Sequence, residues 1–449
     1  MSILDINRIA LSLVARDFSN GHMATNAGPT MTSRALAIIH LAAHDAYASV
    51  TSQLKPKLPG LPAPPPGLGT NDATGNAAVL GAGLRACQLL YPDEVAFIGA
   101  EGLKLVIGVD GVAIHYGEQI GQIWFDSRIN DGSAVPQLDA VYDPAPSHHH
   151  PDPLAPNQMT LGRKWGQVKP FVLTNVATDA PLGDPPAITT QEYADAYDDV
   201  FKNGRNNLPE RTNVFRKHAE VGIFWGYDGS NKLGTPPRLY NQVALATTEF
   251  QSASNKNQIR ILAAINAAMA DAGIAAWHWK YAYDFWRPVV AIREAGEGWG
   301  PLHLGDGNTH RKEKGDPFWL PLGAPKSNPF PAPIVGASGA NATPNFPAYP
   351  SGHATFGSAC FETLAKLLGK TPETINVKFI SDEFNGKTTD NTGAARPEWE
   401  ATFTLREAIE QNKISRIYLG VHWAFDATGG EIVGKAVSKL VVNEFSKPL

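Results

Sequence analysis

The chain has 449 residues, enough for two domain-sized cores or one large one. Hydrophobic residues make up 43% and charged residues 18%, which argues against global disorder. The formal net charge of -5 argues against general nucleic-acid binding, so any cluster of positive charge must be local.

Residues 1–18 carry Asp5, Arg8, Arg16 and Asp17 among apolar positions. That pattern predicts an amphipathic helix and not a signal peptide, hence a cytoplasmic start or non-classical secretion. Helical spacing with a Thr/Ser start covers 31–52, and an Ala-rich helix headed by Asn71 covers 72–90. The Pro- and Gly-dense stretch 55–69 between them reads as a loop. Further helices are expected over 92–107 and 111–130. Cys87 and Cys360 are the two cysteines, too few for a disulfide framework or a cysteine metal cluster, and read as buried thiols.

Residues 134–186 are irregular and rich in Pro, Asp and His. Helical pattern resumes over 190–202, 210–225, 240–248 and 257–286. A second long loop, 296–350, is of a length that is uncommon in compact proteins unless functional. Helices are then expected over 352–368, 398–411, 414–428 and 430–445. Strand signals are few and short, and no stretch reads as long and apolar enough to span a membrane. The expected fold class is all-α, helical bundles joined by long loops. It divides as 1–230 and 231–449, or forms one compact unit.

Three segments of the C-terminal half carry chemistry. In 280–288, Lys280 and Arg287 are seven apart, two helical turns, which predicts one shared helix face before Pro288 disturbs the helix. Their aromatic neighbours Trp279, Tyr281, Tyr283, Phe285 and Trp286 suggest burial, and buried cations need an anion. In 350–353, Ser351 and Gly352 open a helix whose free N–H groups suit an oxyanion, and His353 can move a proton near neutral pH. In 415–426, Arg416 adds a cation, and Asp426 lies one helical turn from His422, placed to orient its imidazole. Taken singly, each segment has a plainer reading: a solvated cationic face, a helix cap with an incidental histidine, a structural His–Asp bond. Together they suit a tetrahedral oxyanion that passes to five-coordinate geometry, as phosphate and vanadate do.

These segments resemble the superfamily of vanadium-dependent haloperoxidases and phosphatidic-acid-phosphatase-type acid phosphatases. The shared signature is Lys, six residues, Arg-Pro; then Pro-Ser-Gly-His; then Ser-Arg, five residues, His, three residues, Asp. The chain is most similar to the fungal-type chloroperoxidases, at 284–288, 315–319, 346–357 and 414–423, at 227–231, 234–238 and 240–241, and more weakly at 33–36 and 44–47. The resemblance implies two four-helix bundles with the cofactor site at the mouth of the C-terminal one. It implies vanadate as cofactor, with His422 as the axial ligand of vanadium. Lys280, Arg287, Arg416, Ser351 and the Gly352 N–H would hold the oxygens, and His353 would be the acid–base residue. Asp228 matches an aspartate paired with the arginine at Arg416, and Trp277 and Phe346 match aromatics beside the halide position.

The chain ends soon after Asp426 and lacks the long C-terminal extension of the fungal pattern. The expected reaction is oxidation of chloride, bromide or iodide by hydrogen peroxide to hypohalous acid, which halogenates small organic acceptors. Phe346, where bromide-preferring relatives usually carry histidine, suggests a chloride-competent pocket. The same shell loaded with phosphate would make an acid phosphatase with His422 as nucleophile, and a non-catalytic anion binder is a third reading. His148-His149-His150 lies among Pro and Asp and reads as a solvated or substrate-side loop, with a transition-metal site as the alternative. Residues 336–341 and 387–393 read as ordinary loops.

Overall fold

The computed structural model describes residues 2–19, 24–153, 155–206, 213–330 and 342–447. The loop expected at 336–341 and the head of the helix expected from 210 lie outside them.

Helix α1 (Ser2–Asp17) buries Ile3, Ile6, Leu13 and Val14, the stripe its apolar spacing dictates. Helix α2 (Gly28–Thr51) starts on Pro29, is buried almost all round, and stops at Ser52 in the left-handed region. In α3 (Asp72–Leu90), Asn71 caps the first turn by accepting from the Thr74 N–H. A short turn leads into α4 (Val95–Val106), and Asp110 caps α5 (Gly111–Asp126). α3 and α5 lie so close that a Cβ on Gly117 would stand 2.0 Å from the Ala78 carbonyl oxygen.

The irregular region holds a two-residue antiparallel pair, β1 (Leu138–Asp139) with β2 (Thr160–Leu161). Then come α6 (Val176–Asp179), α7 (Gln191–Asn203), α8 (Asn213–Phe224), α9 (Pro236–Leu245) and α10 (Thr248–Gln251). The helix expected over 240–248 is thus an earlier helix and a separate single turn, divided at Ala246 and Thr247. Helix α11 (Asn255–Tyr283) is capped by Ser254 and closed by Asp284 in the left-handed region. Contrary to the sequence expectation, α11 is long and apolar enough to cross a membrane by composition, yet its most apolar stretch is 94% buried inside the fold. It packs on α2 on one side and, on the other, on α13 (Gly352–Leu367), which follows α12 (Pro288–Glu294) and the long loop.

Residues 398–411 are not one helix. Glu400–Thr404 forms β4, paired antiparallel with β3 (Asn376–Ile380), and α14 (Leu405–Tyr418) begins only after it. Alternating burial in β4 has the period of a strand, while the capping box of Thr404 with Glu407 gives a strong helix start. Helix α15 (Ala424–Phe445) packs along α13. The fold class is all-α, with two small antiparallel pairs among the described residues.

Glu431 of α15 clamps α14 through Arg406 at 2.7 Å and Lys413 at 2.5 Å, and also pairs with Lys435 at 2.7 Å. Burial alone would raise its carboxyl, but hydrogen bonds from Lys413, Lys435 and Arg406 outweigh this and hold it at about 2. A lowered carboxyl contributes stability above its ordinary value of 4.5, and loses it as pH falls through about 2. With screening allowed for, Glu431→Gln is expected to cost about 1–2 kcal/mol near neutral pH. Thermal unfolding of the variant and wild type should converge as pH falls from 5 toward 2; a constant gap would contradict the assignment.

Candidate active site

Local backbone breaks, more than helix faces, aim the site residues. Lys280 is on the last turn of α11, but Arg287 is not on that helix. The chain leaves α11 at Asp284, runs extended, and Arg287 caps α12 with φ −83° and ψ 154°. Pro288 explains this, because the residue before proline is pushed out of the helical region. Similarly, His422 and Asp426 do not share a helix. α14 ends at Tyr418, Gly420 turns with φ +70°, and His422 sits just ahead of α15 while Asp426 is in its first turn. The pair still meets, with His422 Nδ1 2.7 Å from Asp426 Oδ2, which also accepts from the Trp423 N–H at 3.0 Å.

Ser351 caps α13, its hydroxyl oxygen accepting from the Ala354 N–H at 3.4 Å. The hydroxyl proton remains available. Gly352 and His353 occupy the first two helical positions, where an α-helix offers their N–H groups no acceptor. The Ser351 N–H donates to the Asp426 carbonyl oxygen at 2.8 Å and ties the start of α13 to α15. Gly430 makes this approach possible, since a Cβ there would stand 2.6 Å from the Ser351 carbonyl oxygen. Tyr240 and Asn412 hold the other side, both donating to the His353 carbonyl oxygen, at 3.1 and 2.8 Å.

Lys280, Arg287 and Arg416 are all buried. Lys280 Nζ donates to the Pro347 and Ala348 carbonyl oxygens at 2.6 and 3.0 Å, which leaves one ammonium proton for another acceptor. Arg287 donates to the Phe346 and Val421 carbonyl oxygens, and its Nη1 lies 3.0 Å from His422 Nε2. Arg416 grips Asp228 with both fork nitrogens, at 3.0 and 2.8 Å. Arg287 Nη2 and Arg416 Nε are buried without a partner among the described residues. Three cations thus face two carboxylates, an excess of buried positive charge.

The two imidazoles have defined tautomers. A guanidinium can only donate, so His422 Nε2 accepts from Arg287 and its proton sits on Nδ1 toward Asp426. Burial, then Arg287 and Lys280, push the His422 imidazole well below its ordinary range, which keeps that nitrogen unprotonated. His353 Nε2 donates to the Gly226 carbonyl oxygen at 2.8 Å, leaving Nδ1 as its acceptor. Burial and Arg416 lower His353 to about 3. Burial lowers Arg287 to about 9 and Lys280 well below the usual ammonium value. Burial pushes Asp426 up to about 7 against the Trp423 N–H and the two cations. Lys280 and Arg287 are short of negative charge, and an oxyanion beside them would relieve that shortage.

A cavity of about 370 Å³ opens onto this centre, lined by Asp228, Trp277, Phe346, His353, Arg416 and His422 among others. Gly352 also lines it, and a Cβ there would come within 3.3 Å of the Trp277 ring. Lys280, Arg287 and Ser351 stand behind the lining residues. The Phe346 ring bridges the two groups, 4.8 Å from the Trp277 ring and about 5 Å from both Lys280 Nζ and Arg287 Cζ. A tetrahedral oxyanion fits this set of groups: unspent guanidinium N–H groups, a helix N-terminus and an unprotonated imidazole nitrogen.

The chain is 32% identical to vanadium chloroperoxidase of Curvularia inaequalis over 95% of its own length and 79% of that protein's. It belongs to the vanadium haloperoxidase family. The family of the VCPO second helical-bundle domain matches residues 260–449. The fold resembles that of a bacterial vanadium-dependent iodoperoxidase, with TM-score 0.72 and 20% identity over 99% of this chain and 97% of the other. It also resembles the holo form of a bacterial vanadium-dependent chloroperoxidase, with TM-score 0.67 and 17% identity over 95% and 96% of the two chains.

Around this candidate site the sequence reading missed several parts. His149 and His150 are buried, not solvated. The strap they form pairs with the chain leaving α11, through His149 N–H to the Asp284 carbonyl and Trp286 N–H to the Ser147 carbonyl. His150 Nε2 lies 3.1 Å from Glu294, and among the described residues no cluster suits a metal ion. Thr235 and Thr343 line the cavity. A readable signal existed for Thr235, a capping residue followed by Pro236 and Pro237.

Proposed function

We propose that this haloperoxidase holds vanadate among Lys280, Arg287, Arg416, Ser351, Gly352 and His422, and uses hydrogen peroxide to oxidise chloride, bromide or iodide to hypohalous acid. Small organic acceptors are then halogenated. The observation that carries the reading is the His422 Nε2 lone pair, fixed by Asp426 and set among three buried cations with unspent N–H groups. When bound, vanadate supplies a Lewis-acid centre that activates peroxide toward halide without a change of oxidation state.

The protein's own groups do the rest. His422 offers its lone pair to the metal, and Asp426 keeps the ring in that tautomer. Arg287, Arg416 and Lys280 neutralise the oxyanion, and the spare Lys280 proton polarises a reacting oxygen. His353 accepts a proton at Nδ1 from incoming peroxide while Nε2 stays on Gly226. Asp228 holds Arg416 by both fork nitrogens. Trp277 and Phe346 give the halide a dry aromatic wall.

Halogenation of monochlorodimedone, assayed with and without orthovanadate, tests this. Orthovanadate is expected to switch on halide oxidation. Orthovanadate that instead inhibits release of phosphate from a phosphomonoester would assign the site to the acid phosphatase reading. Phe346→His is expected to lower the chloride-to-bromide preference about tenfold, roughly 1.4 kcal/mol in relative barrier. An unchanged ratio of kcat/KM values would remove Phe346 from the halide position.

A further inference from the structure

The cavity is larger than the ion at its base requires. Its volume of about 370 Å³ falls in the range of small-molecule pockets, roughly 300–1,000 Å³. Two residues of its wall carry hydroxyls that nothing among the described residues satisfies. Thr235 is 1% and Thr343 4% exposed, both line the cavity, and neither Oγ1 has a partner.

The cause at Thr235 is local. A capping threonine normally accepts from the second or third N–H of its helix. In α9 the first two helical residues are Pro236 and Pro237, and the Arg238 N–H goes to the Thr235 carbonyl oxygen. At Thr343 the carbonyl oxygen accepts from Gln158 Nε2 at 3.1 Å, while the hydroxyl has no bond. An unpaired buried hydroxyl costs roughly 1–3 kcal/mol. A ligand with one polar group would remove that cost.

The remaining wall sets the ligand's character. Phe18, Trp277, Phe346 and Phe356 face the cavity. At the base of the cavity, Arg416 keeps both terminal nitrogens on Asp228, and its remaining N–H belongs to the oxyanion centre. Away from the basic base of the cavity, this aromatic and hydroxyl-bearing wall suits an uncharged aromatic molecule.

The geometry points to this vestibule as a subsite for the organic acceptor, a small neutral phenol with its ring against the aromatic wall and its hydroxyl on Thr235 or Thr343. This rests on the haloperoxidase reading of the same centre. The electron-rich ring attacks the halogen of hypohalous acid held beside it. The carbon–halogen bond forms, the halogen–oxygen bond breaks, and the proton leaving the ring carbon joins the released hydroxide as water. Halogenation then occurs before the oxidant escapes.

Binding of phenol and of toluene is measured by saturation-transfer NMR on the full chain without vanadate, and acceptor kinetics on the vanadate-loaded enzyme. Phenol is expected to bind saturably and at least fivefold more tightly than toluene. Thr235→Val and Thr343→Val keep side-chain shape. At least one is expected to weaken phenol binding fivefold or more and to raise the acceptor KM in step, with kcat within twofold. Phenol binding no tighter than toluene in the wild type, or phenol affinity unchanged in both variants, overturns the subsite. Absence of halide oxidation in the loaded wild type is a different failure: it removes the haloperoxidase reading, and the acceptor role with it.

Discussion

His422→Ala is expected to abolish vanadate-dependent halide oxidation, by ~10³-fold or more in kcat, while the fold persists. The imidazole supplies the lone pair set beside Arg287, and the neighbouring cations Lys280, Arg287 and Arg416 are donors that cannot replace it. Asp426→Ala should fall less far, by about 10–100-fold, because it removes the group that fixes the tautomer but leaves the lone pair. Arg287 keeps its bonds to the Phe346 and Val421 carbonyl oxygens in both variants. Bromide oxidation at saturating orthovanadate, with thermal unfolding as the control for folding, measures both. Equal losses in the two variants would contradict a ligand role for His422.

Asp271→Ala is expected to be the most damaging single change to the fold outside the site. Asp271 is fully buried on α11 and accepts from three consecutive backbone N–H groups, those of Phe171, Val172 and Leu173, at 2.7 to 2.9 Å. It anchors the irregular N-terminal segment to the long central helix. Burial pushes its carboxyl up to about 6 even against these bonds. Truncation leaves the three amides buried without an acceptor, at roughly 1–3 kcal/mol each, so a loss of about 3–9 kcal/mol is expected. Chemical denaturation measures it. A loss under about 1 kcal/mol would mean that water reaches these amides.

The site signature was legible in the sequence because each of its segments is short and its spacing local. Local spacing did not reveal the backbone path. Lys280 and Arg287 at helical separation looked like one face, but Asp284 turns left-handed and Pro288 forces Arg287 extended. Gly420 likewise breaks what looked like one helix through His422 and Asp426. In β4, alternation over five residues competed with the helix signal of Thr404 and Glu407 directly behind it. Contacts between distant segments had no local pattern at all. Asp271 takes its amides from a loop about 100 residues away, and the free hydroxyls of Thr235 and Thr343 meet in one cavity from separate loops. The histidine strap misled for the same reason, since its polar composition gave no sign that the chain leaving α11 would pair with it and bury it.

The proposed chemistry requires one buried basic centre to take a single tetrahedral oxyanion against His422. Titration of the metal-free protein with orthovanadate, followed by the vanadium-51 NMR signal of the free ion, tests this most directly. One equivalent is expected to disappear from the free signal in the wild type, with inorganic phosphate competing and His422→Ala leaving the free signal intact. A free signal that persists in the wild type, or a His422→Ala titration that overlays it, would contradict the account.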